Sequence, residues 1–278
     1  MKVAVVGTGN VGSALLFHLA GVPNIEKILV MNIEDDWSQA AIMDVAGANP
    51  EAALKFEVAS FDRLGDVDLI GLTSGAQMEA GQTGKDVLNA NIKMTKSILD
   101  SAQLKKSVFV IALATPVDEV TNFIQNNYKL PENQVMGFGG DLDRNRLSFV
   151  LTQRQLPNDD IEIIGEHGGR TIPVYPGEKD FEVVSKSVRN FLGNITVQGG
   201  RPRNLASGLL FAKLIDSIIN NAHEYHYISG FHPFYKMYVT WPYIVGDKGV
   251  GAPKDITIGT LAQNELNNLI DRKREESK

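Results

Sequence analysis

The chain has 278 residues, room for one large or two medium domains, and is 43% hydrophobic and 22% charged, the balance of an ordinary soluble globular protein. Its net charge of −6 argues against a nucleic-acid partner, which calls for a basic patch. It has no cysteine, which excludes disulfides, thiolate metal sites and cysteine nucleophiles and fits a reducing cytoplasm.

In chain order, Lys2–Val6 reads as a strand that runs into Gly7-Thr8-Gly9-Asn10-Val11-Gly12, a G-x-G-x-x-G. Val11, Leu15, Leu16, Leu19 and Ala20 then recur on one helical face. In such a loop the first glycine makes the tight turn, the second lets backbone approach a pyrophosphate, and the third lets helix pack close on sheet. The helix start offers unpaired N–H groups to phosphate. A second strand, Lys27–Asn32, follows about 20 residues on, the context a dinucleotide-binding loop requires.

A helix is predicted over Asp36–Ala46, strands near Lys55–Ala59 and over Val67–Leu72, a helix over Asp86–Ser101, a strand over Ser107–Leu113 and a helix over Val117–Asn127. Strands alternating with helices imply a parallel sheet of βαβ units, and continuous apolar runs such as Val108–Leu113 suit strands covered on both faces. The stretch Gly75–Gly84 lacks periodicity and follows a strand's carboxyl end, where ligands bind and a mobile lid would hang. Gln134–Phe138 closes this half. From Gly139-Gly140 the pattern changes: a helix over Asp141–Arg154, short strands at Ile161–Ile164 and near Pro173–Tyr175, a long helix over Asn204–Asn221, an antiparallel pair from His223–Ile228 and Tyr235–Tyr238, and a closing helix over Glu265–Glu276. The expected domains are residues 1–140, dinucleotide-binding, and residues 141–278, carrying substrate and catalysis. The first strand leaves no room for a signal peptide and no apolar run approaches 18 residues, so a cytoplasmic protein without a membrane span is expected.

Taken with the glycine loop, Ala114-Thr115-Pro116-Val117-Asp118, Leu142-Asp143-Arg144-Asn145-Arg146 and Ile164-Gly165-Glu166-His167-Gly168-Gly169 resemble the lactate/malate dehydrogenase family, as does Trp241–Gly246 followed by Gly249. The resemblance spans nearly the whole chain in the right order. It implies an α/β protein: an N-terminal Rossmann doubly wound parallel sheet plus a C-terminal α+β domain. It also implies NAD as cofactor, with NADP not excluded, a 2-hydroxy or 2-oxo acid as substrate, and a homodimer or homotetramer. The cofactor-binding set is Gly7, Gly9, Asn10, Val11, Gly12, Asn32 and Thr115. In the catalytic set, His167 is the acid/base, Asp143 orients it, and Arg146 clamps the substrate carboxylate. Asp143 and Arg146, three apart at a predicted helix start, share one face, and a guanidinium fork suits a carboxylate.

Four positions depart from the family's pattern. Asn32 stands where an aspartate usually takes the ribose hydroxyls, so the charge that repels a 2′-phosphate is lost, although Glu34 and Asp35 lie nearby. Met78, at the residue that reads the substrate side chain, suits an apolar or bulky 2-oxo acid rather than oxaloacetate. Gly84 replaces the lid arginine that polarises the carbonyl, a loss worth about 10²–10³ in rate, and the adjacent Lys85 is a poor substitute. Thr115 replaces an asparagine beside the nicotinamide. Arg170, Arg201 and Arg203 either face the cleft or belong to a solvated surface. His223 and His226 have a helical metal-ligand spacing but fall in strand sequence, where i and i+3 point to opposite faces, and no metal site is expected. The aromatics Phe231, Phe234, Tyr235, Tyr238, Trp241 and Tyr243 read as sheet core or subunit contact. The resemblance favours a dehydrogenase. The altered lid leaves open a dinucleotide-binding protein with little or no turnover, a sensor or assembly partner.

Overall fold

The computed structural model describes residues 1–76, 81–199 and 204–276. The first half runs β1 (Lys2–Val6), α1 (Asn10–Leu19), β2 (Lys27–Met31), α2 (Asp35–Ala48), α3 (Pro50–Ala53), β3 (Phe56–Val58), β4 (Leu69–Leu72), α4 (Gly84–Leu99), β5 (Phe109–Ala112), α5 (Val117–Tyr128) and β6 (Val135–Phe138). The second runs α6 (Gly140–Gln153), β7 (Glu162–Glu166), β8 (Arg170–Val174), α7 (Phe181–Arg189), α8 (Phe191–Gly199), α9 (Leu205–Ile219), β9 (Glu224–His232), β10 (Met237–Gly246), β11 (Gly249–Pro253) and α10 (Thr260–Glu276).

The first six strands are parallel in the order β3-β2-β1-β4-β5-β6, the doubly wound arrangement expected from the sequence. Strand alternation divides the core between the two sheet faces. Val3 and Val5 pack with α1 and α9 residues such as Leu15 and Phe211, whereas Ala4 and Val6 pack with Ile98 of α4 and Val120 and Ile124 of α5. Since β6 pairs antiparallel with β9 (Phe138 opposite Ile228), the sheet continues into the antiparallel strands of the second half in the order β9-β10-β7-β8, with β11 on β10.

Helix α4 starts two residues earlier than expected. Thr83 and Asp86 form a reciprocal capping box, Asp86 accepting from the Thr83 N–H at 2.8 Å and Thr83 Oγ1 from the Asp86 N–H at 3.3 Å. Two helices, α7 and α8, fall where none was expected. In α7 the signal is Phe181, Val184, Ser185 and Val188, buried at the i, i+3, i+4, i+7 spacing of one face.

Candidate active site

Strand β1 delivers Gly7 to the carboxyl edge of the sheet, beside the point where the strand order reverses between β1 and β4. Gly12 must lack a side chain, because a Cβ there would lie 1.9 Å from Gly7 O. A Cβ on Gly9 would meet nothing within 4 Å, and Gly9 caps α1 without any side-chain hydrogen bond. The first N–H groups of α1, those of Asn10 and Val11 among them, have no acceptor within the helix, and with the open space at Gly9 this start fits a pyrophosphate.

Helix α6, capped by Gly139, carries Asp143 and Arg146 on its first turns, while His167 directly follows β7. The three expected catalytic residues meet. His167 Nδ1 lies 2.7 Å from Asp143 Oδ2, and Arg146 Nη1 donates to Asp143 Oδ1 at 2.7 Å. The Asp143 side chain is only 1% exposed, against 14% for Arg146 and 16% for His167. Burial alone would raise the Asp143 carboxyl. The charges of His167 and Arg146, with hydrogen bonds from His167 and Thr171, outweigh it and hold the group below the usual carboxylate range. An ionised Asp143 accepts the Nδ1–H, leaving the Nε2 lone pair of His167 free to take a proton. Arg146 also lies 5.9 Å from the centre of the Phe191 ring and keeps further N–H donors for a carboxylate.

Residues 1–137 match the family model described as the lactate/malate dehydrogenase NAD-binding domain. A malate dehydrogenase of Aliarcobacter butzleri is 24% identical over 298 residues, covering 98% of this chain and 95% of that protein. An L-lactate dehydrogenase of Borrelia turicatae is 25% identical over 313 residues, covering 98% of each chain. The lactate dehydrogenase of Eimeria maxima, solved with NADH and oxamate, shares the fold with a TM-score of 0.85 at 18% identity, over 99% of this chain and 92% of that one. This chain belongs to the lactate/malate dehydrogenase family. Its N-terminal half is the family's NAD-binding domain, and the chain is an NAD-dependent oxidoreductase of lactate/malate type.

Against that family the chain's departures acquire a place. Asn32 directly follows β2 beside the glycine loop, where its Nδ2 donates to Thr8 Oγ1 at 2.5 Å and its Oδ1 accepts the Ile33 N–H at 2.8 Å. Thr115 is exposed, and its carbonyl accepts Asn91 Nδ2 at 2.6 Å. Gly84 and Lys85 open α4 and are exposed. Met78, Arg201 and Arg203 lie outside the described residues. Arg170 does not join the trio. It pairs with Glu166 at 3.1 Å, on the face of the β7–β8 hairpin opposite to Thr171, whose hydroxyl reaches Asp143.

A cavity of about 610 Å³ lies on that Glu166–Arg170 side, bounded also by Gly84, Lys85, Asp118 and Lys273, and none of the trio lines it. Its wall is a buried ion cluster. Lys273 Nζ sits 2.9 Å from Asp118 Oδ2, 2.8 Å from Glu119 Oε1 and 4.0 Å from Glu166 Oε2. Burial pushes the Asp118 carboxyl up to about 6, against the opposing pull of Lys273.

His226 is buried, with Nδ1 2.8 Å from Asp141 Oδ2 and Nε2 2.8 Å from Ser217 Oγ. The connectivity is that of a hydrolytic triad, but all three residues are nine-tenths or more buried, so it ties the start of α6 to β9 and α9. His223 is exposed in the turn before β9, away from such a network. Of the six aromatics read as sheet core or subunit contact, Tyr238, Trp241 and Tyr243 are core residues of β10, whereas Phe234 is exposed.

Three contributors to the site carry no sequence motif. Asn91 joins the entry of the lid segment to the Thr115 loop, its Oδ1 accepting the Ala76 N–H at 2.6 Å. Gly139, with φ 151°, lies under the His167 ring, where a Cβ would come 2.3 Å from Cδ2. Thr171 donates to Asp143 Oδ2 at 2.6 Å. A polar residue four positions past His167 on a strand, or a glycine just before α6, was the only trace to follow.

Proposed function

We propose that the chain interconverts a 2-hydroxy acid and its 2-oxo acid, with His167 as acid/base, Asp143 as its orienter and Arg146 as the carboxylate clamp. The observation that carries this reading is the Asp143 carboxylate, which binds the imidazole on one oxygen and the guanidinium on the other, each at 2.7 Å. In oxidation His167 Nε2 removes the hydroxyl proton while the hydrogen on C2 leaves as hydride. In reduction His167 returns the proton to the carbonyl oxygen. NAD supplies the nicotinamide that accepts or gives the hydride. Arg146 holds the substrate carboxylate through the donors it does not spend on Asp143. The cofactor-binding set is Gly7, Gly9, Asn10, Val11, Gly12, Asn32 and Thr115, within a dinucleotide-binding domain of residues 1–140 that precedes a substrate domain of residues 141–278.

Met78 in the specificity position favours an apolar or bulky 2-oxo acid over oxaloacetate. A homodimer or homotetramer is what the resemblance implies. Among the described residues no helix is long and apolar enough to cross a membrane. The test is oxidation of NADH, and separately NADPH, against 2-oxo acids from pyruvate and oxaloacetate to branched and aromatic members, with His167→Asn as control. Turnover on an apolar member that His167→Asn abolishes, with cofactor affinity retained, is the expected result. The replacement of the lid arginine by Gly84 favours a second reading, a dinucleotide-binding sensor or assembly partner. Cofactor binding with no turnover on any member decides for it.

A further inference from the structure

We propose that Thr171 is a positioning residue for the acid/base pair: its hydroxyl shares Asp143 Oδ2 with the His167 ring and sets how strongly the carboxylate holds that ring. The inference rests on the proposed roles of His167 and Asp143. Oδ2 receives three donors, His167 Nδ1 at 2.7 Å, Thr171 Oγ1 at 2.6 Å and the Gly168 N–H at 3.0 Å, whereas Oδ1 receives Arg146. A carboxylate oxygen has two lone pairs, so donors beyond two compete for its charge. The Thr171 hydroxyl has one proton to give, and its alternative acceptor, Glu166 O, is farther away at 3.3 Å.

The hydroxyl is aimed by structure around it. Thr171 is 1% exposed and pairs with Gly165 across β7 and β8. Its carbonyl accepts Arg189 Nε at 2.8 Å, and Arg189, at the end of α7, is ion-paired to Glu265 of α10. Three elements therefore fix a buried side chain whose hydroxyl is spent on Asp143. Its effect on the reaction passes through Asp143. Without the hydroxyl, Oδ2 concentrates its charge on the imidazole and the cationic ring is held more tightly.

The test compares Thr171→Val, which keeps the shape, with Thr171→Ser, which keeps the hydroxyl. Two readouts are taken: the pH profile of kcat/KM for the best 2-oxo acid of the panel, and the pH titration of the His167 ring by NMR, tractable with five histidines and assigned through His167→Asn. In Thr171→Val, kcat/KM falls about tenfold, the order of one hydrogen bond to a charged group. Both midpoints move upward in pH. Thr171→Ser restores rate and midpoints. A Thr171→Val protein that loses rate or thermal stability with its midpoints unmoved overturns the inference and leaves the roles of His167 and Asp143 standing. Undiminished turnover in His167→Asn overturns those roles, and this inference with them. If no acid is turned over, the NMR midpoints decide alone.

Discussion

The amide of Asn32 donates to the hydroxyl of Thr8, at the second position of the glycine loop, at 2.5 Å. The side chain at the proposed ribose-reading position is thus turned onto the glycine loop, and its oxygen is spent on the Ile33 N–H. Asn32→Asp removes the donor, adds an acceptor for two ribose hydroxyls and restores a charge against a 2′-phosphate. We expect the Kd for NADH to fall and that for NADPH to rise, each by about tenfold, the scale of one charged hydrogen bond. Fluorescence titration with each cofactor measures both. An unchanged NADH/NADPH ratio removes Asn32 from the ribose site.

Gly139 supports the imidazole of His167 from below. Gly139→Ala places a methyl group 2.3 Å from the present position of Cδ2, so the ring must leave its place over Asp143. Misplacing a catalytic group by about 1 Å costs about 10² in rate, and we expect kcat/KM to fall by at least that much. The glycine loop is untouched, so NADH affinity stays within about twofold, on the view that sites without shared partners act independently. A parallel loss of both quantities marks general unfolding.

Gly84 stands at the position proposed for the lid arginine, and a Cβ there meets nothing within 4 Å. Gly84→Arg therefore fits the fold, and the helix gains a better helix former. If the restored guanidinium reaches the substrate carbonyl, kcat rises about 10²-fold. Steady-state kinetics on the best panel member checks it. Unchanged kcat means that the chain polarises the carbonyl by other means.

His232 packs against Tyr235, Trp241 and Tyr243, with ring centres 4.6, 4.9 and 6.3 Å away. Burial pushes its imidazole down to about 4, below the ordinary 6.5. Between pH 6.5 and 4 the unfolded chain binds this proton and the folded chain does not, so stability falls with pH through that window. Asp118 has the opposite sign, since its folded-state value near 6 lies above the ordinary 3.8 and favours the folded state as pH falls from 6. Urea midpoints from pH 7 to 4 for wild type and His232→Phe separate the two. The substitution is expected to make the decline shallower or reverse it. An identical slope in both proteins assigns the pH dependence elsewhere.

Much of this molecule is written locally. The strand that ends in Gly7, the α1 face of Leu15, Leu16 and Leu19, and the alternation of apolar runs with helices each depend on residues within one or two turns of each other. That proximity is why they are legible. The helix face shared by Asp143 and Arg146 is local too, and the order of the motifs supplied His167. Helix α7 was equally legible in Phe181, Val184, Ser185 and Val188, although no helix was expected there.

Tertiary structure decided what no short window holds. Arg170 and Thr171 are neighbours in sequence, yet one turns to Glu166 and the other to Asp143 because the β7–β8 register puts them on opposite faces. Asn32 meets Thr8 across 24 residues, and His226 meets Asp141 across 85. Such contacts depend on strand order, register and the side of the sheet each helix covers. By itself the sequence determined which groups are present and which elements carry them. Only the packed sheet brought donor to acceptor.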